Sequence, residues 1–141
     1  IVKIFGYKPL VQPKVVPENK IIESARDYIH YKNLINKLCR SYKIDCIFLL
    51  QPVIHLTGNL TDDISKTIIK RTADWFPQNK KIHEIGYKIL KKENDIIDLS
   101  DAFNGVSYVF YDEVHFNKKG SVIIGKKIAK LLDLSYKKKF Q

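Results

Sequence analysis

The sequence predicts an α/β fold in which helices flank a parallel sheet. Helical and strand-like patterns alternate along the chain, as they do where parallel strands are covered by helices. The strand-like segments are nearly continuous apolar runs, which is typical of strands buried on both faces. The chain has 141 residues and is 45% hydrophobic, enough for one core. We therefore expect residues 1–141 to form a single domain or part of one.

The first half of the chain predicts a connector, a long helix and a buried strand. Residues 1–17 contain three prolines and no clean periodicity, so we expect an extended connector there. From Asn19 onward, apolar residues at three-and-four spacing predict a helix with a wide apolar stripe. The stripe comprises Ile22, Ala25, Ile29, Leu34, Ile35, Leu38, Cys39 and Tyr42. Ile44 to Leu50 then predicts a strand, closed by Gln51-Pro52.

Two helices and a second strand follow. Thr61 or Asp62 can cap a helix that runs to about Arg71. Trp75-Phe76-Pro77 interrupts the pattern, and these side chains are expected to plug the core between helices or to form a lid or wall beside a substrate. Residues 80–92 predict the next helix, and residues 95–99 predict the second strand.

The last segment predicts a closing helix and a frayed tail. The helix begins near Asn117 to Gly120 and ends near Leu132, and five of its residues are expected to face inward: Val122, Ile123, Ile128, Leu131 and Leu132. Residues 136–141 are expected to be a frayed basic tail. Because two parallel strands alone do not make a domain core, further strands are expected, either upstream in the native chain or in a partner.

The net charge of +10 comes almost entirely from lysine. A basic chain can bind nucleic acid or a membrane surface, but no nucleic-acid-binding module is visible and only three arginines are present. We therefore expect solvated lysines and no nucleic-acid partner. The longest apolar run, Cys46 to Leu50, is far too short to span a bilayer, so no transmembrane segment is expected.

The two cysteines, Cys39 and Cys46, both occupy core-facing positions, and we expect two buried free thiols. No group of Cys and His residues has zinc-ligand spacing, so neither a metal nor a cofactor is predicted. Nothing in the sequence identifies the compartment.

The most informative motif is Asp112-Glu113-Val114-His115, on a loop that leads into the closing helix. A serine hydroxyl is a weak nucleophile at neutral pH and needs a base within hydrogen-bond reach. Histidine suits this role because its ordinary pKa is about 6.5, and a carboxylate can hold its tautomer and orientation. His115 could therefore be a general base oriented by Asp112. The plainer alternatives are a surface histidine and an acidic residue favoured near a helix N-terminus.

The stretch from Asp112 to Asn117, followed by Gly120 and the closing helix, resembles the last motif block of the SGNH (GDSL-type) hydrolases. The apolar strand ending in Gln51-Pro52 and the later Ile96-Ile97-Asp98-Leu99-Ser100 are also similar, so the resemblance extends over residues 19–132. It implies the flavodoxin-like three-layer fold of these enzymes. It also implies a serine esterase or acyl hydrolase that acts on a small-molecule or glycan ester.

The same resemblance implies that part of the domain is missing. The family's nucleophile lies in a Gly-Asp-Ser motif, and this sequence has none. We expect the nucleophilic serine and the N-terminal part of the domain to lie upstream of Ile1, and this chain alone to be inactive.

Two further residues are candidates for the substrate cleft. Gln51 and His55 follow the first strand, and the carboxyl ends of parallel strands are where such sheets bind ligands. The default for both is an ordinary loop residue, and Glu113 is expected to be solvated. An alternative function is a non-catalytic SGNH-like module that binds a glycan or an anionic polymer.

Overall fold

The computed structural model describes residues 15–139, with side chains described up to residue 133. Within that range the fold is mixed α/β and mostly helical. The helices are α1 (Glu18–Ser41), α2 (Asp63–Trp75), α3 (Asn79–Leu90) and α4 (Lys118–Lys139). The strands are β1 (Phe48–Leu50) and β2 (Ile96–Asp98), and a short 3₁₀ helix spans Ile54–Leu56.

The strands β1 and β2 form a parallel pair, as the sequence predicts. Phe48 lies opposite Ile96 and Leu50 opposite Asp98, and the Leu99 amide donates to the Leu50 carbonyl oxygen at 2.9 Å. The expected strand over residues 44–50 is longer than the observed one. Only the last three residues of that run find partners on β2, and Ile44 and Ile47 remain exposed.

α1 begins after Pro17, which has no backbone N–H that would lack a partner at the helix start. The negative charge of the exposed Glu18 is stabilised by the positive end of the helix dipole. The helix packs against α3 and buries Ile21, Ala25 and Cys39. The expected core-facing stripe is only partly buried, because α3 covers one side of the helix. Four of its members are exposed: Leu34, Ile35, Leu38 and Tyr42.

Lys32 of α1 is an unexpected buried charge, with only 3% of its surface exposed. Its ammonium group contacts the carboxylates of Asp95 and Glu93, in the turn before β2. Burial lowers the pKa of Lys32, but hydrogen bonds to Asp95 and Glu93 outweigh that effect and raise the pKa above its ordinary value. The pair of carboxylates therefore fixes α1 against the start of β2.

Cys39 and Cys46 form a disulfide, so the expectation of two free thiols is wrong. The chain reverses immediately after α1, where Lys43 adopts a left-handed conformation with φ 56°. The Ile44 amide then donates to the Cys39 carbonyl oxygen at 2.8 Å. This turn brings the two Cα atoms to 6.1 Å, within the range that a disulfide can bridge.

The main core lies between the sheet, α2 and α4. Its centre is Phe103, which is fully buried and makes edge-to-face contacts with Phe110 and Phe116 at 5.3 and 5.4 Å between ring centroids. α4 packs Ile123, Ile124, Ile128 and Leu131 against this core. Val122 and Leu132, which were expected to face inward, are about half exposed because they lie off that face.

The remaining expectations for the chain ends have mixed outcomes. Residues 136–139, expected to fray, belong to α4, whereas residues 140 and 141 lie outside the described residues. Of the expected connector, residues 15–17 precede α1 without regular structure, and residues 1–14 lie outside the described range. Among the described helices, none is both long and apolar enough to cross a membrane.

Candidate functional site

The loop between Phe110 and Phe116 carries the Asp112–His115 pair and is closed like a narrow hairpin. Phe110 and Phe116 form an antiparallel bridge, and the Tyr111 amide donates to the His115 carbonyl oxygen at 2.8 Å. Both phenylalanines pack on Phe103 in the core. The base of the loop is therefore fixed, and His115 near its tip is exposed.

The Asp112 carboxylate organises the tip of this loop. Its Oδ1 accepts the backbone amides of Val114 at 3.0 Å and His115 at 2.8 Å. Its Oδ2 lies 2.8 Å from Nδ1 of the His115 ring. Partial burial raises the pKa of Asp112, but hydrogen bonds from Val114 and His115 outweigh it and keep the pKa below its ordinary value. Asp112 is thus ionised at neutral pH and can hold a proton on Nδ1.

The His115 side chain is 74% exposed. With Nδ1 engaged by Asp112, the other ring nitrogen, Nε2, is available as a base toward solvent. This is the orientation required of a triad histidine, in which a carboxylate binds one nitrogen and the other faces the nucleophile. No serine among the described residues forms a hydrogen bond with His115, whose amide and ring are both bound by Asp112. The pair therefore has the geometry of a base and its orienting acid, without a nucleophile in contact.

Asn117 and Gly120, which follow the loop, have structural roles at the start of α4. Asn117 caps α4, because its side-chain oxygen accepts the amides of Lys119 at 2.9 Å and Gly120 at 3.2 Å. Its side-chain nitrogen also donates to the Tyr108 carbonyl oxygen at 2.7 Å. A Cβ atom on Gly120 would lie 2.7 Å from the Cβ atom of Phe116, so the helix can approach the loop only with glycine there.

Gln51 and His55 have different positions relative to the pair. Gln51 lies at the end of β1, and its side-chain nitrogen is 3.4 Å from the Val114 carbonyl oxygen, so it borders the loop. His55 forms no hydrogen bond with Asp112 or His115. Its ring lies beside that of His83 on α3, with 5.7 Å between the centroids. Of the two predicted cleft residues, the structure brings only Gln51 to the pair.

His55 and His83 form a half-buried pair that the sequence did not suggest, because the two residues lie on different elements, far apart along the chain. His55 Nε2 and His83 Nδ1 are buried and have no protein partner. Burial lowers the pKa of both imidazoles, against the opposing effect of the Glu113 carboxylate. Both rings are therefore neutral at pH 7.

Glu113, expected to be solvated, is instead bound on two sides. Thr72 Oγ1 donates to its Oε2 at 3.1 Å, and Asn79 Nδ2 donates to its Oε1 at 3.0 Å. The partners lie on α2 and α3, so a sequence pattern around Glu113 could not have indicated them. Glu113 also borders an open groove of about 490 Å³ that is lined by Arg71, Thr72, Trp75 and Phe76.

Trp75 and Phe76 are 48% and 53% exposed, so these two side chains do not plug a core. They form a wall of the groove beside Glu113. Asp98 and Ser100 stabilise the turn after β2, where the Ser100 amide donates to Asp98 Oδ1 at 2.8 Å. Within the described part of the chain, no group of His, Cys, Asp and Glu residues could hold a metal ion.

Comparison with known proteins gives no relative for this chain. No protein-family model, no curated protein and no solved structure matches it.

Proposed function

We propose that this chain carries the base and the orienting acid of a serine esterase or acyl hydrolase of the SGNH type. His115 would act as the general base and Asp112 would hold its Nδ1 proton. The observation that carries the proposal is the 2.8 Å contact between Asp112 Oδ2 and His115 Nδ1 on an exposed loop. The reaction would hydrolyse or transfer a small acyl group through an acyl-enzyme, on a small-molecule or glycan ester.

The nucleophile and the rest of the sheet would come from residues upstream of this chain. Two features of the fold support a larger, flavodoxin-like sheet. β1 and β2 are only three residues long each, and parallel sheets are stable when several strands are covered on both faces. Exposed apolar side chains on α1 and before β1, among them Leu38, Ile44 and Ile47, offer surface for such strands and helices to cover.

Fluorophosphonate labelling tests the proposal, because this reagent traps a serine that a neighbouring base activates. The full gene product, this 141-residue chain and a His115→Ala version of the full product would be compared. His30→Ala is the matched control, since His30 is an exposed histidine on α1, outside the loop. We expect labelling of the full product and of His30→Ala, and slower labelling of His115→Ala by about 10⁴-fold. Absence of labelling in every folded protein would contradict the proposal.

A non-catalytic module for a glycan or an anionic polymer is the second candidate. The observation that favours it is the net charge of +10, together with Arg71 in the groove beside Trp75. It predicts that binding of an anionic polysaccharide weakens steeply with salt. It also predicts that His115→Ala leaves this binding unchanged, whereas the hydrolase proposal predicts loss of labelling in the same variant.

A further inference from the structure

Glu113 connects the loop that carries Asp112 and His115 to three other parts of the fold. Its carboxylate accepts one hydrogen bond from Thr72 on α2 and one from Asn79 on α3. Its backbone carbonyl oxygen accepts the Ile54 amide, in the segment that follows β1, at 2.9 Å. Each carboxylate oxygen thus has its own donor, from a different helix.

The other polar contacts at the tip of the loop fix its shape but not its position. Asp112 accepts hydrogen bonds from Val114 and His115, which belong to the same loop. Gln51 adds one contact from outside, but at 3.4 Å and exposed to solvent. Bonds within a loop move with it, so the place of the His115 ring relative to the end of β1 depends on contacts that leave the loop.

We propose that Glu113 is a positioning residue, which places His115 by tying the Asp112–His115 loop to α2 and α3. This rests on the proposed function, in which His115 is the base. The Glu113 carboxylate bonds to Thr72 and Asn79 and not to the His115 ring, so its effect would pass through the loop backbone. Reacting groups must be held within a fraction of an ångström for efficient catalysis. The loss of an anchor two residues from the base would therefore lower kcat more than it changes KM.

Substitutions can separate hydrogen bonding from charge. Glu113→Ala removes both hydrogen bonds. Glu113→Gln removes the charge but can keep both hydrogen bonds. The glutamine oxygen can accept from Asn79, and the glutamine nitrogen can donate to the Thr72 hydroxyl, because a hydroxyl oxygen accepts as well as donates. Thr72→Val and Asn79→Ala remove one hydrogen bond each from the opposite side. The matched control is Glu84→Ala, which removes an exposed glutamate of α3 that pairs with Lys80 of the same helix.

The first measurement is amide hydrogen exchange of Ile54, followed by NMR in the 141-residue chain, because this amide donates to the Glu113 carbonyl oxygen and so joins the loop to the segment after β1. We expect Glu113→Ala to accelerate exchange there by about tenfold or more, because the loop loses two charge-assisted hydrogen bonds that hold it in place. Thr72→Val and Asn79→Ala should each give a smaller acceleration. Glu113→Gln should stay within about threefold of the unsubstituted chain, and Glu84→Ala should leave exchange unchanged. The ring ¹⁵N spectrum should show His115 protonated on Nδ1 both in the unsubstituted chain and in Glu113→Ala, because Asp112 holds that proton within the loop.

The second measurement is hydrolysis of p-nitrophenyl acetate by the full gene product with the same substitutions. Glu113→Ala should reduce kcat by at least about tenfold with little change in KM, and Glu113→Gln should restore most of the rate. If the full product is not a hydrolase, the exchange data alone decide whether Glu113 positions the loop. Unchanged exchange in Glu113→Ala would overturn the inference whether or not the protein is an enzyme. Equal losses in Glu113→Ala and Glu113→Gln would assign the effect to charge and overturn it as well. If Glu113→Ala does not fold, the Thr72→Val and Asn79→Ala variants decide in its place.

Discussion

Substitution of Gly120 by alanine tests whether the approach of α4 to the Asp112–His115 loop depends on a missing side chain. The added Cβ atom would lie 2.7 Å from the Phe116 Cβ atom and 3.1 Å from both Phe103 Cζ and the Val109 carbonyl oxygen. These neighbours belong to the core or to the backbone, and Phe103 and Val109 are fully buried. None can move away at low cost.

Two effects of opposite sign set the magnitude of the change. Alanine in a helix is favoured over glycine by about 1 kcal/mol, whereas overpacking a core typically costs about 1–3 kcal/mol. For Gly120→Ala we therefore expect the free energy of unfolding to fall by up to about 2 kcal/mol, because a contact at 2.7 Å requires α4 or Phe116 to shift.

Gly125 provides a matched control on the same helix. A Cβ atom added there would meet nothing within 4 Å, and the residue is exposed. Gly125→Ala should therefore gain about 0.5–1 kcal/mol from helix propensity alone. The difference between the two substitutions isolates the packing effect from the propensity of alanine.

Urea unfolding followed by fluorescence gives both free energies, since Trp75 is the only tryptophan of the chain. The slope with urea should be the same in both variants, so that midpoints can be compared. Equal stability of Gly120→Ala and Gly125→Ala would refute the close approach of α4 to Phe116. In the full gene product, Gly120→Ala should also slow fluorophosphonate labelling, because Phe116 is adjacent to His115.

Two other predictions concern the disulfide and the histidine pair. Thiol titration of the unfolded chain should detect no free thiol before reduction and two after it. Reduction of the Cys39–Cys46 disulfide should also lower the free energy of unfolding by about 2–3 kcal/mol, which is the loop-closure value for so short a separation along the chain. Two free thiols in freshly purified protein would contradict the bond. Burial lowers the folded-state pKa of His55 and His83, so the unfolded chain binds more protons below its own histidine pKa of about 6.5. The contribution of these two histidines to the free energy of unfolding should therefore be present above pH 7 and be lost as the pH decreases below about 6.5. This loss should be smaller in His83→Phe, and an unchanged pH profile in that variant would contradict the assignment.

The positions of the helices were predictable because each one depends on the sequence of a single segment, although α2 and α4 end four and seven residues later than expected. The predicted start at Asn19 and the expected helix over residues 80–92 agree with α1 and α3 within two residues. The Asp62 cap is also confirmed, with the Ser65 amide donating to its side chain at 2.8 Å. Apolar periodicity and capping are local signals that survive in the folded chain.

The errors arise where a residue's environment is set by another part of the chain. Periodicity identified an apolar stripe on α1, but it could not show that α3 covers only one side of it. The spacing of Cys39 and Cys46 permitted either a bond or free thiols, and the left-handed turn at Lys43 decides between them. Lysine seldom adopts a left-handed conformation, so its sequence signal is weak.

The candidate site combines these two kinds of information. The contact between Asp112 and His115 spans three residues and is made by local hydrogen bonds, so a sequence pattern could predict it. Glu113 lies between them, but its side-chain partners are 41 and 34 residues away along the chain. Local bonds give the histidine its tautomer and ring orientation, whereas distant ones place the whole loop in the fold. A base functions only at hydrogen-bond distance from its nucleophile. The proposed chemistry therefore needs both the Asp112–His115 pair and the correct position of that pair in the fold. The anchoring of the loop by Glu113 would then determine whether the pair can reach a serine contributed by another segment.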